Sequence, residues 1–290
     1  GGGGSASGSC RSPAPGRAPL RRLDAYEYAN TIRDLLRDEQ ALAVVFPPEE
    51  SRHGFSNQAD VQGASPLLAE RHLLASEELS ARAVANLGKL LPCDPTRGDP
   101  SACARTFVTS FGRRAFRRPL TPAEVDRFLA VHGDVARDAD FSDGVRAVVE
   151  AFLQSPTFLY RPELDAGAPV VAGVVRAGPF ETAARLSYLL WGSMPDDALL
   201  LAAERGTLSS DAGVVAEVER MMRDPRARAH TLHFHRRWLA LDRVDAVDKD
   251  RTLFPAWKPE LRADLRRSVE LFVEDVLWNG DGKLGSFLTS

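Results

Sequence analysis

Residues 181–204, ETAARLSYLLWGSMPDDALLLAAE, constrain the fold more than any other stretch. Ala183, Leu186, Leu189 and Leu190 recur at helical spacing, so one face of the segment has to be covered by other helices. The run Gly192-Ser193-Met194-Pro195 then breaks the helix. Pro195 suits a first helical turn, and the acidic pair Asp196-Asp197 suits the positive end of a helix dipole. Trp191 and Met194 fall at the corner, where bulky side chains wedge two helices apart. A helix–break–helix unit of this kind needs helical neighbours.

The rest of the chain supplies them. RLDAYEYANTIRDLLRD predicts a helix with Asp24 as its N-cap and Leu23, Tyr26, Ile32, Leu35 and Leu36 near one side. The turn-rich FPPEESRHGFSNQADVQGAS is long for a loop in a compact domain, which suggests a binding or packing loop carrying Phe46 and Phe55. Residues 66–91 read as one long helix, with Leu67, Leu74, Leu79, Val84, Leu87 and Leu90 facing the core. Phe107, Phe111 and Phe116 form an aromatic stripe, and Thr121-Pro122-Ala123-Glu124 is a capping box with Pro at the first helical position. Further helices are predicted over 141–161 with a break at Ser155-Pro156, from the Ser209–Asp211 caps to Met222, around Trp238 and Leu239 near the core, and over 259–278.

The expected fold is all-α, a multi-helix, bundle-like array with long loops and few or no strands. Residues 1–19 are mostly Gly, Ser, Pro and Ala and read as a disordered tether. Residues 20–163 form N-terminal helical modules, the loop at 164–178 marks a boundary, 164–283 form a central helical domain, and 284–290 open a further C-terminal module.

Charge and cysteines bound the partners and the compartment. A formal net charge of −3 over 290 residues gives no electrostatic case for nucleic acid or an anionic membrane. No apolar run approaches the ~18 residues of a membrane span, so membrane attachment is expected only through a lipid anchor or tether outside the fold. The chain begins GGGGSASGSC, so any targeting signal is expected outside it. Cys93 and Cys103 flank a short Asp/Pro/Gly loop suited to a local crosslink, and a disulfide there points to an extracytoplasmic location. Cys10 is left over in the tether.

Candidate chemistry is sparse. His230 and His233 share a helix face as metal ligands do, with no Glu between them in the HExxH manner and no third ligand following, so packing or surface histidines are the favoured reading. His235, Asp196, Asp197 and Glu181 are candidates for acid–base catalysis; the plainer reading has both Asp residues capping a helix and Glu181 pairing with Arg185. Arg113, Arg114, Arg117 and Arg118 are candidates for gripping phosphate or carboxylate, against the plainer reading of snorkelling and pairing with neighbouring Asp or Glu. GxSxG, phosphate-loop and dinucleotide motifs are absent from the sequence.

Several motifs together resemble a known tandem. LRRLDAYEYANTIRDLL is similar to the N-terminal helix of a set of domains of unknown function from secreted planctomycete and myxobacterial proteins, and FGRRAFRRPLTPAEVDRFL to its next module. LQSPTFLYRPE, ARLSYLLWGSMPDDALLLAAERGTL, RMMRDPRAR and FHRRWLALD resemble the central domain, domain of unknown function 1592, with 1587-like and 1595-like modules before it. The match runs over about residues 20–280 in the expected motif order. The resemblance implies an exported, lipoprotein-like bacterial chain of helical fold that continues into two C-terminal modules. Some relatives carry a c-type haem motif; this chain has no CxxCH, so haem attachment is not carried over and no cofactor is expected. It supplies no activity and no catalytic residues.

The leading expectation is a non-catalytic, cell-envelope-associated module, in the periplasm, on the outer membrane or secreted, that binds a protein partner or an extracellular polymer. The rival is part of a secreted hydrolytic or redox-linked enzyme completed by further C-terminal domains. An electron-transfer accessory is a third reading, suggested only by the company relatives keep.

Overall fold

The computed structural model describes residues 18–162, 170–171, 174–250, 252–258 and 260–289. Nearly all of the expected tether, with Cys10, and residues 163–169 at the expected boundary lie outside the described residues.

Each helix begins where a capping residue permits it. α1 (Ala25–Leu36) starts at Asp24, whose side chain accepts from the Glu27 N–H (2.8 Å) while the Asp24 N–H donates to Glu27 Oε2 (3.3 Å). α2 (Pro66–Val84) is capped by Ser65. The predicted single helix over 66–91 is in fact two, because the chain turns at Ala85-Asn86 before the short α3 (Leu87–Leu90). Asn86 and Gly88 are weak helix formers, and Asn86 offers no side-chain cap, so nothing holds the helix through that point. The buried stripe of α2 is Leu68, Ala75, Leu79 and Ala83, while the expected Leu67 and Leu74 face solvent.

The Cys93–Cys103 disulfide ties the next loop to α4 (Pro100–Ala115). Closing a loop of 10 residues stabilises by about 2–3 kcal/mol in the chain-entropy account. α5 (Pro122–Asp138) opens on the predicted Thr121/Glu124 capping box, and α6 (Phe141–Gln154) on Asp140. Ser155-Pro156 ends α6 and starts the single turn α7 (Pro156–Leu159). A first core gathers here, with Phe107, Phe111, Phe116, Phe128, Phe152 and Phe158 all buried and the Phe128 and Phe152 rings stacked at 3.7 Å.

Four two-residue strands interrupt the helices among the described residues. β1 (Arg21–Arg22) pairs antiparallel with β2 (Tyr160–Arg161), and β3 (Val170–Val171) with β4 (Val174–Val175). The β1–β2 ladder matters for function, because it sets Arg161 beside the start of α1.

The segment at 181–204 folds into α8 (Pro179–Leu190), a tight corner, and α9 (Asp197–Glu204); Pro195, expected in the first turn of the second helix, instead precedes it, because Asp196 takes the capping position. α10 (Asp211–Met222), α11 (Pro225–Trp238), α12 (Leu261–Glu274) and α13 (Leu284–Thr289) complete the array, α12 widening into a π turn over Asp275–Asn279. A second core forms around Ala183, Trp191, Leu199, Ala203, Leu208 and Met221. Trp191 spends its indole N–H on the Met221 carbonyl (3.0 Å). The corner clamps both cores together, because Tyr188 and Met194 belong to the first. Trp238 and Leu239, expected near a core, are instead exposed: they are the last residue of α11 and its C-cap, at the end of the helix rather than on a covered face. Leu189, expected on the covered face of α8, is 70 % exposed. No described helix is long and apolar enough to cross a membrane.

Candidate binding cleft where the helices of both cores meet

Glu27 is the third residue of α1 and therefore points back toward the helix start, where its Oε2 accepts from the Asp24 N–H. Ser56 of the long loop donates its hydroxyl to Asp24 Oδ2 (2.9 Å), which fastens that loop over the cap. From β2, Arg161 reaches Glu27 (Nη1···Oε1 3.4 Å) and lays its guanidinium over the Tyr188 ring at 4.5 Å. The Tyr188 hydroxyl in turn meets Thr31 Oγ1 at 3.0 Å. One buried polar network thus joins α1, β2 and α8.

Arg117 braces it from below. It follows α4 with a left-handed backbone (φ 60°), a conformation that costs a non-glycine residue of order 1 kcal/mol. The guanidinium it positions donates to the carbonyls of Thr157 (2.6 Å), Phe158 (3.2 Å) and Tyr160 (2.8 Å). Those bonds hold the chain that carries Arg161.

Above this floor opens a cleft of about 840 Å³. Glu27, Asn57, Arg161, Tyr188 and His230 lie at its base and sides, with Phe55, Leu189 and Phe234 on its rim. Phe55 and Phe234 stack with ring centroids 5.3 Å apart, and Phe234 remains 45 % exposed. Glu27 is 2 % exposed, and burial pushes its carboxyl up to about 7, with the Arg161 charge offsetting only part of that rise. His230 is pushed the other way, down to about 4, by burial first and by His233 second. Its ring sits against Gly192, where a Cβ would lie 2.5 Å from Nδ1 and where φ is +59°. Glycine is required there on both counts.

The residues singled out in the sequence take up separate posts. Asp196 caps α9 through the Leu199 N–H (2.8 Å) and forms a two-point ion pair with Arg220 (2.8 and 3.1 Å). Asp197 lies 4.0 Å from Arg114, and Glu181 in the first turn of α8 helps keep Arg118 charged. His235 Nδ1 bonds the Thr231 carbonyl (2.8 Å), and its ring packs edge-on to Trp238. Each of these four therefore answers to a different partner. His233 stacks face to face on Tyr26 at 3.6 Å, with His230 5.7 Å from the same ring. No group of three His, Cys, Asp or Glu side chains is placed to share a metal among the described residues. The arginine cluster divides: Arg117 is buried, Arg118 pairs at two points with Glu124 (2.9 and 2.8 Å), and Arg113 and Arg114 face a groove on another side.

Glu27, Asn57, Arg161, Tyr188 and Phe234 went unnoticed in the sequence. One signal was available, since Asp24-x-x-Glu27 has the spacing of a capping box. Nothing local announces that Arg161, far along the chain from Glu27, would meet it.

Comparison with known proteins divides the chain in the same places that build the cleft. Residues 21–85 match PSD3, protein of unknown function (DUF1587); residues 103–163 match PSD5, protein of unknown function (DUF1595); residues 178–290 match PSD4, protein of unknown function (DUF1592). No curated protein and no solved structure matches. Glu27 and Asn57 come from the first matched segment, Arg117 and Arg161 from the second, and Tyr188, His230 and Phe234 from the third. The cleft is walled by all three segments, and matches to DUF1587, DUF1595 and DUF1592 stand in tandem across the chain.

Proposed function

We propose that the chain is a non-catalytic, exported binding module whose cleft takes a segment of an extracellular polymer. The observation that carries this reading is the chemistry of the cleft: an aromatic pair, the exposed Phe234 stacked on the half-buried Phe55, beside the amides of Asn57 and Gln58 and the Arg161 guanidinium. Flat aromatic faces take the apolar face of a sugar ring, and amides and guanidinium satisfy its hydroxyls. The Cys93–Cys103 disulfide is compatible with an extracytoplasmic site of action. Envelope association, by a lipid anchor or tether outside the fold, belongs to the same proposal.

One observation favours an enzyme. A carboxyl poised near 7 is suited to acid–base work, and Glu27 is such a group. Its oxygens, however, are engaged by the helix cap and by Arg161, which makes it a positioning group for the cleft floor. Calorimetric titration with soluble β-glucan, chitin and mannan oligosaccharides tests the proposal. At least one should bind, and Phe234→Ala should weaken it tenfold or more. Release of new reducing ends, abolished by Glu27→Gln, would replace the binding module with a hydrolase; no binding to any polymer would end the proposal.

A further inference from the structure

A second concavity lies along the outer side of α4, an open groove of about 780 Å³ reaching α3 and both ends of α9. Arg37, Lys89, Arg105, Arg113 and Arg114 line it against two carboxylates, Asp197 and Glu204, among the described residues. The excess of positive charge is local, since the whole chain is net negative. The hollow next to it is balanced, with Arg33, Arg37, Arg114 and Arg226 facing Asp34, Glu39, Asp196 and Asp197.

The groove's cations are only partly engaged. Arg113 gives one hydrogen bond to Glu204 (3.2 Å), and its buried Nε has no partner among the described residues. Arg114 donates to the Asp34 carbonyl (2.7 Å) and stands 4.0 Å from Asp197. Arg37 donates to the Lys89 carbonyl (3.3 Å), and Arg105 lies 3.7 Å from an equally exposed Asp126. The two-point pairing that occupies Arg118 is not repeated at any of them. Guanidinium edges therefore remain for a ligand's anionic groups.

Between the cations sit exposed hydroxyls. Thr106, Thr109 and Ser110 donate back to the carbonyls of Ala102 (2.9 Å), Arg105 (2.8 Å) and Phe107 (3.2 Å). With their hydrogens turned inward, their oxygens face outward as acceptors. From Arg105 to Arg113 this face runs ~12 Å along the helix. It presents neutral acceptors flanked at both ends by cationic donors.

We infer that this groove binds an acidic polysaccharide, whose sulfate or carboxylate groups meet the guanidiniums and whose hydroxyls donate to Thr106 and Thr109. A ligand for this face needs anions and hydroxyl donors together, which an acidic peptide does not offer in series. Nucleic acid lacks a platform here, because the one aromatic residue lining the groove, Phe111, is buried. The site is separate from the cleft beside Phe234, and the two stand or fall independently.

Titration of the full chain with heparin, polygalacturonate, dextran, duplex DNA and polyglutamate tests the assignment. Heparin or polygalacturonate should bind with an affinity that falls as salt rises, and dextran should not. Binding of heparin alone identifies sulfate, and binding of polygalacturonate alone identifies carboxylate; either supports the site. The double variant Lys89→Glu/Arg105→Glu, at two exposed positions, should weaken binding at least tenfold. Thr106→Ala/Thr109→Ala should weaken it severalfold, while Phe234→Ala should leave it unchanged. Failure of both polysaccharides to bind, or full binding by the charge-reversed variant, overturns the site. DNA or polyglutamate binding as tightly as the polysaccharides overturns the ligand class.

Discussion

The first core and the surroundings of α12 use arginine in opposite ways. Around the first, Arg117 and Arg161 are buried, one forked across three backbone carbonyls and the other lying between Glu27 and the Tyr188 ring. Around α12, which lies outside the second core, arginines instead bridge neighbouring elements near the surface: Arg228 to Glu274 (2.9 Å), Arg236 to Glu270 (2.7 Å) and Arg266 to Asp245 (2.7 Å). A buried guanidinium cannot exchange its partners for water, so removing it strands groups that have no alternative. An exposed ion pair can, and contributes little. The contrast explains where the cleft was built. Its floor lies on the side where each polar bond is obligatory and the geometry consequently rigid.

The sharpest way to break this contrast is Arg117→Ala. It should cost about 3 kcal/mol or more, because three carbonyls lose their donor at once. Urea unfolding measures the loss, and Arg117→Lys should restore less than half of it, since an ammonium cannot fork across all three. An effect under 1 kcal/mol would mean that water replaces the guanidinium and that the region is not closed.

Next in size is the titration of Glu27. Its carboxyl is pushed up to about 7 in the fold, above its ordinary value of 4.5, so its favourable contribution is complete below about pH 4.5 and lost as pH rises through 7. Glu27→Gln removes that dependence. Relative to the parent chain, the variant should gain up to roughly 3 kcal/mol in stability between pH 4.5 and 8. The buried histidines run in the opposite sense. His72 and His230 are both held down to about 4 by burial, so they stabilise fully above about 6.5 and lose that contribution as pH falls toward 4. The two windows overlap, so thermal unfolding across pH separates them by difference: the gain of Glu27→Gln over the parent chain should grow from pH 4.5 to 7 and then level off, while the histidine loss toward pH 4 persists in both chains.

Cys93→Ser/Cys103→Ser should cost about 2–3 kcal/mol, and a reducing agent should lower the parent chain to the same level. The smallest effect should come from Arg266→Ala, which breaks an exposed pair and should cost under about 1 kcal/mol. If Arg266→Ala costs as much as Arg117→Ala, the two regions do not differ in the way described.

Much of the architecture can be read locally. The caps at Asp24, Thr121 and Asp196, the breaks at Ser155-Pro156 and Gly192–Pro195, and the Cys93–Cys103 crosslink depend on residues close together in the chain, and all appear where the residue types place them. The helical class follows from these and from the 3.6-residue recurrence of apolar side chains. The periodicity falters where it cannot distinguish neighbouring stripes. Leu67 and Leu68 both fit a helical repeat, and only the approach of the start of α1 and of the loop at Phe46 and Pro47 decides that Leu68 is buried.

The cleft is the part that only the tertiary structure decided. Glu27 in isolation is the third residue of a capping box, and Arg161 in isolation is a charged residue after an aromatic knuckle. They become one site because the β1–β2 ladder sets the second beside the first and the α8–α9 corner lays Tyr188 under both. The sequence by itself determined the helices, their ends and the crosslink, since short-range hydrogen bonding and chain stiffness act within a few residues. Burial, and with it the raised carboxyl of Glu27 and the neutral ring of His230, depends on what packs from far along the chain.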